Sequence, residues 1–94
     1  MNLKQTITLS PDVISQEVSG ETVLLDLNSE NYFGLDEVGT RIWQLLKETG
    51  NLQTVFDTML EEYDVDEKQL KKDLLDHVTQ LVEAGLISLV SSEQ

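Results

Sequence analysis

Residues 21–46, ETVLLDLNSENYFGLDEVGTRIWQLL, decide the fold of this chain. The run begins as an apolar strand, passes through a polar turn at residues 28–31, and continues as a short aromatic strand at residues 32–35. Helical periodicity starts directly after that strand. A short strand that leads straight into a helix leaves part of its hydrogen-bonding edge available. We therefore expect that edge to be the functional surface of the protein.

The sequence before the helix predicts an antiparallel meander of three strands. Ser19-Gly20 is a hairpin signal, because glycine supplies the positive φ of such turns. It separates two predicted strands, at residues 13–18 (VISQEV) and 22–27. Residues 32–35 form the third strand. Residues 5–9 (QTITL) alternate polar and apolar side chains, which is typical of a half-buried or edge strand.

The period-two alternation of the strands predicts which side chains share a face. In the third strand it places Phe33 and Leu35 on one face and Tyr32 and Gly34 on the other. The middle strand is apolar on both faces, with Val23, Leu25 and Leu27 on one and Leu24 on the other. We therefore expect the middle strand to be covered on both sides.

Three amphipathic helices follow the meander. Asp36, Asn51 and Asp66 each precede a helical pattern and are suited to cap its N-terminus. Gly50 and Gly85 follow the first and third patterns at positions where glycine commonly ends a helix.

The order of the elements predicts the fold class. Residues 86–90 (LISLV) close the chain as a terminal strand or as an apolar tail laid across the core. We expect one domain over residues 1–94, because a chain of this length supports a single modest core. The predicted fold is α+β and winged helix-turn-helix-like, with an N-terminal three-stranded antiparallel meander followed by three helices.

The third helix has a wider apolar arc than packing requires. On a wheel of about 100° per residue, Leu75 and Val82 extend the stripe around Leu70, and Lys68 and Lys71 lie on the same shoulder. This shoulder is a candidate binding surface with a cationic rim. The simpler interpretation is that Leu75 and Val82 contact the sheet or the C-terminal tail. The opposite shoulder holds His77, Asp73 and Gln80.

Charge and composition exclude several classes of function. Eighteen acidic residues against six basic ones give a net charge of -12, which repels nucleic acid. The chain has no cysteine, and its single histidine, His77, has no second histidine with which to share a metal. The five glycines are isolated and form no phosphate-binding loop. The sequence gives no basis for an enzyme, a cofactor or a metal site.

The sequence also bears on where the protein works. Its N-terminus lacks the basic segment and apolar run of a signal peptide, and no stretch approaches the ~18 apolar residues of a membrane span. The absence of cysteine favours a reducing compartment. We therefore expect a cytoplasmic protein that does not contact membranes.

Two runs of sequence carry a resemblance to a known family. These are VLLDL at residues 23–27 and YFGLDEVGTRIW at residues 32–43, and EAGLI at residues 83–87 fits as well. Together they resemble the PqqD-like family of peptide-recognition elements, which serve pathways of ribosomally made, modified peptides. The second run is most similar to the stand-alone leader-peptide-binding proteins of lasso peptide systems.

The resemblance implies a non-catalytic protein that binds the leader segment of a precursor peptide as an extra antiparallel strand beside the third helix. Strand addition satisfies backbone groups on both sides, and side-chain pockets give selectivity. The implied partners are the precursor peptide, a leader peptidase and, further along the pathway, an ATP-dependent cyclase. On this chain the implied binding residues are Glu30, Asn31, Tyr32, Phe33, Gly34 and Leu35 at the strand edge, and Lys68, Lys71, Leu75, Val78 and Val82 on the helix.

Two alternatives stay open at the level of sequence. Within the family, a peptide chaperone that serves a radical enzyme in another peptide or cofactor pathway would share the same pattern. From a different class, the predicted topology allows a winged-helix DNA-binding regulator. Against it, Lys68, Lys71 and Lys72 are interspersed with acidic residues, whereas a DNA-reading helix needs a basic surface.

Overall fold

The computed structural model describes residues 2–90; Met1 and residues 91–94, which belong to the predicted single domain, lie outside the described residues. Eight elements follow one another along the chain: β1 (Thr6–Leu9), β2 (Val13–Val18), β3 (Glu21–Asp26), β4 (Asn31–Leu35), α1 (Glu37–Thr49), α2 (Leu52–Glu62), α3 (Glu67–Glu83) and β5 (Ile87–Val90). The predicted α+β fold, a meander followed by three helices, is confirmed.

The strands form two antiparallel sheets. The larger sheet has the order β2-β3-β4, with Leu25 of β3 opposite Ile14 on one side and Tyr32 on the other. The smaller sheet joins the two ends of the chain by pairing β1 with β5, from Thr6 opposite Val90 to Leu9 opposite Ile87. The sequence predicted both terminal segments but not their pairing. Because β3 is central, β2 and β4 form the two edges of the larger sheet.

The side of β3 that faces the core is not the side that carries most of its apolar residues. Thr22, Leu24 and Asp26 are buried, whereas Val23 is 45% exposed and Leu27 is 51% exposed. The prediction of a strand covered on both sides is therefore wrong. Leu24 faces inward because it lies opposite Phe33, which packs against the core.

Hydrogen bonds within the fold make the two buried polar residues of β3 compatible with burial. The hydroxyl of Thr22 donates to the hydroxyl of Thr40 in α1 over 2.8 Å. The Asp26 carboxylate accepts hydrogen bonds from the backbone N–H of Asn28 (3.1 Å) and from the Ser29 hydroxyl (3.0 Å). The first contact joins α1 to the sheet, and the other two shape the turn from which β4 begins.

The helix ends follow the predicted capping pattern. The side chains of Asp36, Asn51 and Asp66 accept hydrogen bonds from backbone amides three residues later, over 2.8, 3.0 and 3.0 Å. Gly50 ends α1 in the left-handed conformation with φ 63°, and its amide donates to the Leu46 carbonyl. The cap at Asp36 begins α1 directly after β4, so the position of the β4 edge is fixed by the helix.

An alanine at Gly50 is expected to destabilise the fold by about 1–2 kcal/mol, because a left-handed φ disfavours any side chain. A Cβ there would also lie 3.0 Å from the Ile7 carbonyl oxygen. The matched control is Gly34→Ala, since a Cβ on Gly34 meets no atom within 4 Å. Urea unfolding should show Gly34→Ala within about 0.5 kcal/mol of the wild type. Equal effects of the two substitutions would contradict this account of Gly50.

Candidate functional site

A groove of about 470 Å³ runs between the free edge of β4 and helix α3. Residues from β4, from one side of α3 and from the segment before β5 line it: Tyr32, Phe33, Gly34, Leu35, His77, Gln80, Leu81, Ala84 and Leu86. The groove brings an unpaired strand edge and a helix surface to the same place.

The β4 edge is open along its whole length among the described residues. From Asn31 to Leu35, β4 pairs with β3 alone, in the register Asn31 opposite Asp26 to Leu35 opposite Thr22. In an antiparallel ladder, alternate residues direct their N–H and C=O groups away from the partner strand. Those groups on β4 are therefore available to a further strand.

The side chains of β4 divide between the two faces of the sheet as predicted. Leu35 is buried, and Phe33 is partly buried against the core. On the other face, Tyr32 is 73% exposed, and Gly34 leaves open space where a side chain would stand. Glu30, with φ 60°, lies in the turn before the strand. A strand added here would meet Phe33 and Leu35 on its inner side and Tyr32 on its outer side.

The side of α3 that lines the groove differs from the shoulder that the sequence predicted to bind. Its groove-lining residues are His77, Gln80, Leu81 and Ala84. None of the five residues predicted to bind on this helix lines the groove. Val78 is fully buried in the core, Leu75 and Val82 are partly buried against it, and Lys68 and Lys71 are exposed elsewhere on the helix. Contact of these five residues with a peptide stays a prediction. The simpler interpretation, that Leu75 and Val82 pack within the fold, is the one the structure supports.

The groove residues that were missed share a signal in the sequence. His77, Gln80, Leu81 and Ala84 follow the i, i+3, i+4, i+7 spacing of a single helix face. On the wheel that places Leu70 at zero, His77, Ala84 and Gln80 lie within about 80° on the side opposite to Leu75, and Leu81 lies about 20° to the other side. This face was missed because it contains two polar residues and a small one, whereas the predicted cleft was expected to be apolar.

Two titratable side chains, His77 and Tyr32, line the groove, and the pKa of His77 is shifted. Burial lowers its pKa, and the nearby negative charge of Asp36 opposes that shift. Its Nε2 atom is buried and has no hydrogen-bond partner among the described residues. The ring is therefore neutral near pH 7 and carries one buried polar atom without a partner among the described residues.

A second cavity of about 380 Å³ adjoins the groove at His77, between the three helices. Val38 and Val65 lie at its rim, where they are 45% and 46% exposed. Ile42, Met59 and Leu74 are buried in its floor. His77 lines both spaces.

The shifted pKa of His77 predicts a pH-dependent stability. The unfolded chain takes up a proton near pH 6.5, whereas the folded protein holds this ring neutral to lower pH. Stability is therefore expected to fall as the pH drops below about 6.5, and to become independent of His77 again below its folded pKa. Urea unfolding at about pH 7.5 and pH 5.5 measures the loss of stability. Both pH values lie above the range in which most carboxylates titrate. His77→Gln should lose less stability over this interval; an identical loss in both proteins would contradict the assignment.

No helix among residues 2–90 is long and apolar enough to cross a membrane. No group of three or more His, Cys, Asp or Glu side chains in that range is arranged to hold a metal ion.

The fold and the groove define a small α+β domain with an open strand edge beside a helix. Residues 21–87 match the sequence model of coenzyme PQQ synthesis protein D (PqqD). Because that match covers more than half of the sequence, the chain belongs to the PqqD family.

Two solved structures are similar to this chain over most of its length. The structure of TbiB1 in complex with the TbiA(beta) leader peptide superposes with a TM-score of 0.82 at 37% identity, covering 93% of this chain and 99% of that one. A lasso peptide synthetase B1 complexed with the leader peptide superposes with a TM-score of 0.79 at 27% identity, covering 87% of this chain and 96% of that one. The comparison with curated proteins gave no match.

Proposed function

We propose that this chain recognises the leader segment of a ribosomally made precursor peptide in lasso peptide biosynthesis. The observation that carries the proposal is the open edge of β4 beside the α3 groove. This edge belongs to a fold that resembles, at 37% identity, a protein whose structure is a complex with a leader peptide.

The geometry favours binding by strand addition. An extended peptide beside β4 would exchange backbone hydrogen bonds with alternate residues of Asn31–Leu35 and extend the sheet by one strand. Its inward side chains would enter the groove against Phe33, Leu81 and Ala84. Backbone pairing supplies affinity that depends little on sequence, whereas the groove selects among side chains.

His77 and Gln80 give the groove its polar selectivity. The Nε2 atom of His77 is buried without a partner, so a group of the leader would bond to it only after the ring turns toward the groove; that bond would satisfy a buried polar atom, which favours binding. Gln80 is exposed at the mouth of the groove and can both donate and accept. The complete set of peptide-contacting residues that we propose combines the β4 edge from Glu30 to Leu35 with these α3 residues.

The proposed role is binding without catalysis, in the cytoplasm. The chain would hold the precursor by its leader and present it to a separate leader peptidase, after which the core peptide passes to the cyclase. A family member that serves a radical enzyme would use the same edge but a different partner. The resemblance to the lasso peptide synthetase B1 complex favours the lasso pathway.

Isothermal titration of the folded protein with a synthetic leader peptide tests the proposal. A dissociation constant in the low-micromolar range or tighter is expected, which corresponds to about 8 kcal/mol of binding free energy. A peptide of the same composition in scrambled order is the control. No binding of the leader, in a sample shown to be folded by circular dichroism, would contradict the proposed function.

A further inference from the structure

The cavity between the three helices has an apolar floor and carries negative charge at its rim. Its floor is formed by Ile42, Met59 and Leu74, which are buried. Two carboxylates, those of Asp36 and Asp73, line the same cavity and are exposed. The cavity therefore combines apolar surface with anionic groups that solvent can reach.

Both carboxylates lie near the His77 ring. A Cβ placed on Gly39 would lie 3.3 Å from Asp36 Oδ1 and 3.5 Å from His77 Cε1. Asp73 precedes His77 by about one turn of α3, so the two side chains share one face of the helix. Because burial lowers the pKa of His77, the ring is neutral near pH 7 and adds no positive charge. The lining of the cavity is therefore negatively charged.

No cation of the protein neutralises these two carboxylates among residues 2–90. The ion pairs within that range join other residues: Arg41 with Glu62 and Lys72 with Asp76. Asp36 accepts a hydrogen bond from the backbone N–H of Gly39 (2.8 Å), and Asp73 accepts one from the side chain of Gln69 (2.9 Å). A carboxylate offers about four acceptor positions, so both groups can still bind a cation.

The cavity fits the side chain of a lysine or an arginine. Such a side chain buries its apolar stem and keeps its cationic head near water. Here the stem would lie on the apolar floor and the head would reach the carboxylates at the rim. A purely apolar side chain would fill the floor but partly desolvate two unpaired carboxylates, and an acidic side chain would be repelled by them. Charge complementarity therefore favours a basic residue.

The position of the cavity connects it with the proposed leader site. Asp36 directly follows Leu35, the last residue of the β4 edge, and His77 lines both the groove and the cavity. Lys68 and Lys71, which the sequence placed at the rim of the binding surface, line neither space. The charge at this end of the groove is therefore opposite to the cationic rim that the sequence predicted.

We propose that the cavity binds a lysine or arginine side chain of the leader peptide through Asp36 and Asp73. The protein thereby selects leaders that carry a basic residue next to the segment that pairs with β4. This inference rests on the proposed function, because only a leader that lies beside β4 brings such a residue to the cavity. Asp36 and Asp73 are then specificity-determining residues of the leader site.

Isothermal titration with the synthetic leader of the pathway's own precursor tests the protein side of the proposal. The double variant Asp36→Asn/Asp73→Asn removes both charges, and asparagine caps a helix as well as aspartate does, so the fold is retained. We expect its affinity for the leader to fall at least about ten-fold.

The matched control is Asp57→Asn on α2. Asp57 is exposed and accepts a hydrogen bond from a glutamine four residues earlier, as Asp73 does, but it lies outside the cavity. This control should bind the leader with wild-type affinity. Because it removes one negative charge from the same surface, it separates a local contact from the effect of net charge.

The second arm of the experiment changes the peptide. Each lysine or arginine of the leader is replaced singly by norleucine, which keeps an apolar stem and removes the charge. One of these replacements should weaken binding to the wild type about ten-fold. The same replacement should leave binding to the double variant unchanged, because the interaction is already lost there.

The outcomes separate this inference from the proposed function. If the folded wild type fails to bind the leader, the proposed function fails. If the leader binds the wild type and the double variant equally, or if no basic residue of the leader matters, this inference alone is overturned. Asp73→Asn by itself repeats the test without touching the cap of α1, and wild-type affinity in that variant would also overturn the inference.

Discussion

A tryptophan in place of Ala84 is expected to abolish leader binding while the protein stays folded. Ala84 lines the groove opposite β4 and caps α3 in a right-handed helical conformation with φ -80°, which any residue adopts. Its contribution to the cap is a backbone hydrogen bond from its amide to the Gln80 carbonyl, and a larger side chain leaves that bond intact. An indole would occupy the space that the inward side chains of the leader need. Titration calorimetry should show a loss of at least about 100-fold, or ~2.7 kcal/mol.

The matched control for this substitution is Glu83→Trp. Glu83 precedes Ala84 on the same helix, but it is exposed and does not line the groove. The control should bind leader with the affinity of the wild type, and both variants should melt close to it. Wild-type affinity in Ala84→Trp would show that the leader binds outside this groove.

Leu24→Ala is expected to cause the largest loss of stability among single substitutions in the sheet. Leu24 is fully buried on the central strand, opposite Phe33. Removal of such a side chain costs about 2–5 kcal/mol, out of the roughly 5–15 kcal/mol that stabilise a domain of this kind. Thermal unfolding should show the midpoint lowered by more than about 10 °C.

Val23→Ala tests whether that loss arises from burial. Val23 is the aliphatic neighbour of Leu24 in the same strand, but its side chain is 45% exposed on the face of the sheet that is turned away from the core. Its truncation should cost about 0.5 kcal/mol or less. A larger loss at Val23 than at Leu24 would mean that the strand faces the core with its other side.

The β4 edge could be predicted from the sequence because local rules determine it. Period-two alternation separates Phe33 and Leu35 from Tyr32 and Gly34, and the cap at Asp36 fixes where the helix begins. Both rules depend on neighbouring residues only. The resemblance to the PqqD family then indicated what such an edge binds, and the match over residues 21–87 confirms the family.

The faces of β3 and α3 could not be predicted in the same way, because tertiary contacts decide them. Thr22 and Asp26 are polar, yet hydrogen bonds with Thr40, Asn28 and Ser29 allow them to be buried. On α3, a helical wheel gives the angle between residues but not which shoulder meets β4. The sequence favoured the apolar shoulder because a peptide-binding cleft was expected to be apolar. The fold instead directs the shoulder of His77 toward the strand.

Amide hydrogen exchange of the free and leader-bound protein, measured by NMR, tests the central claim most directly. The account predicts that alternate amides within Asn31–Leu35 exchange rapidly in the free protein and become protected when the leader binds. The amides of β2, Val13–Val18, form the other edge of the same sheet and should keep their exchange rates. Saturating leader that leaves the β4 amides unprotected, or protects the β2 edge instead, would contradict the account.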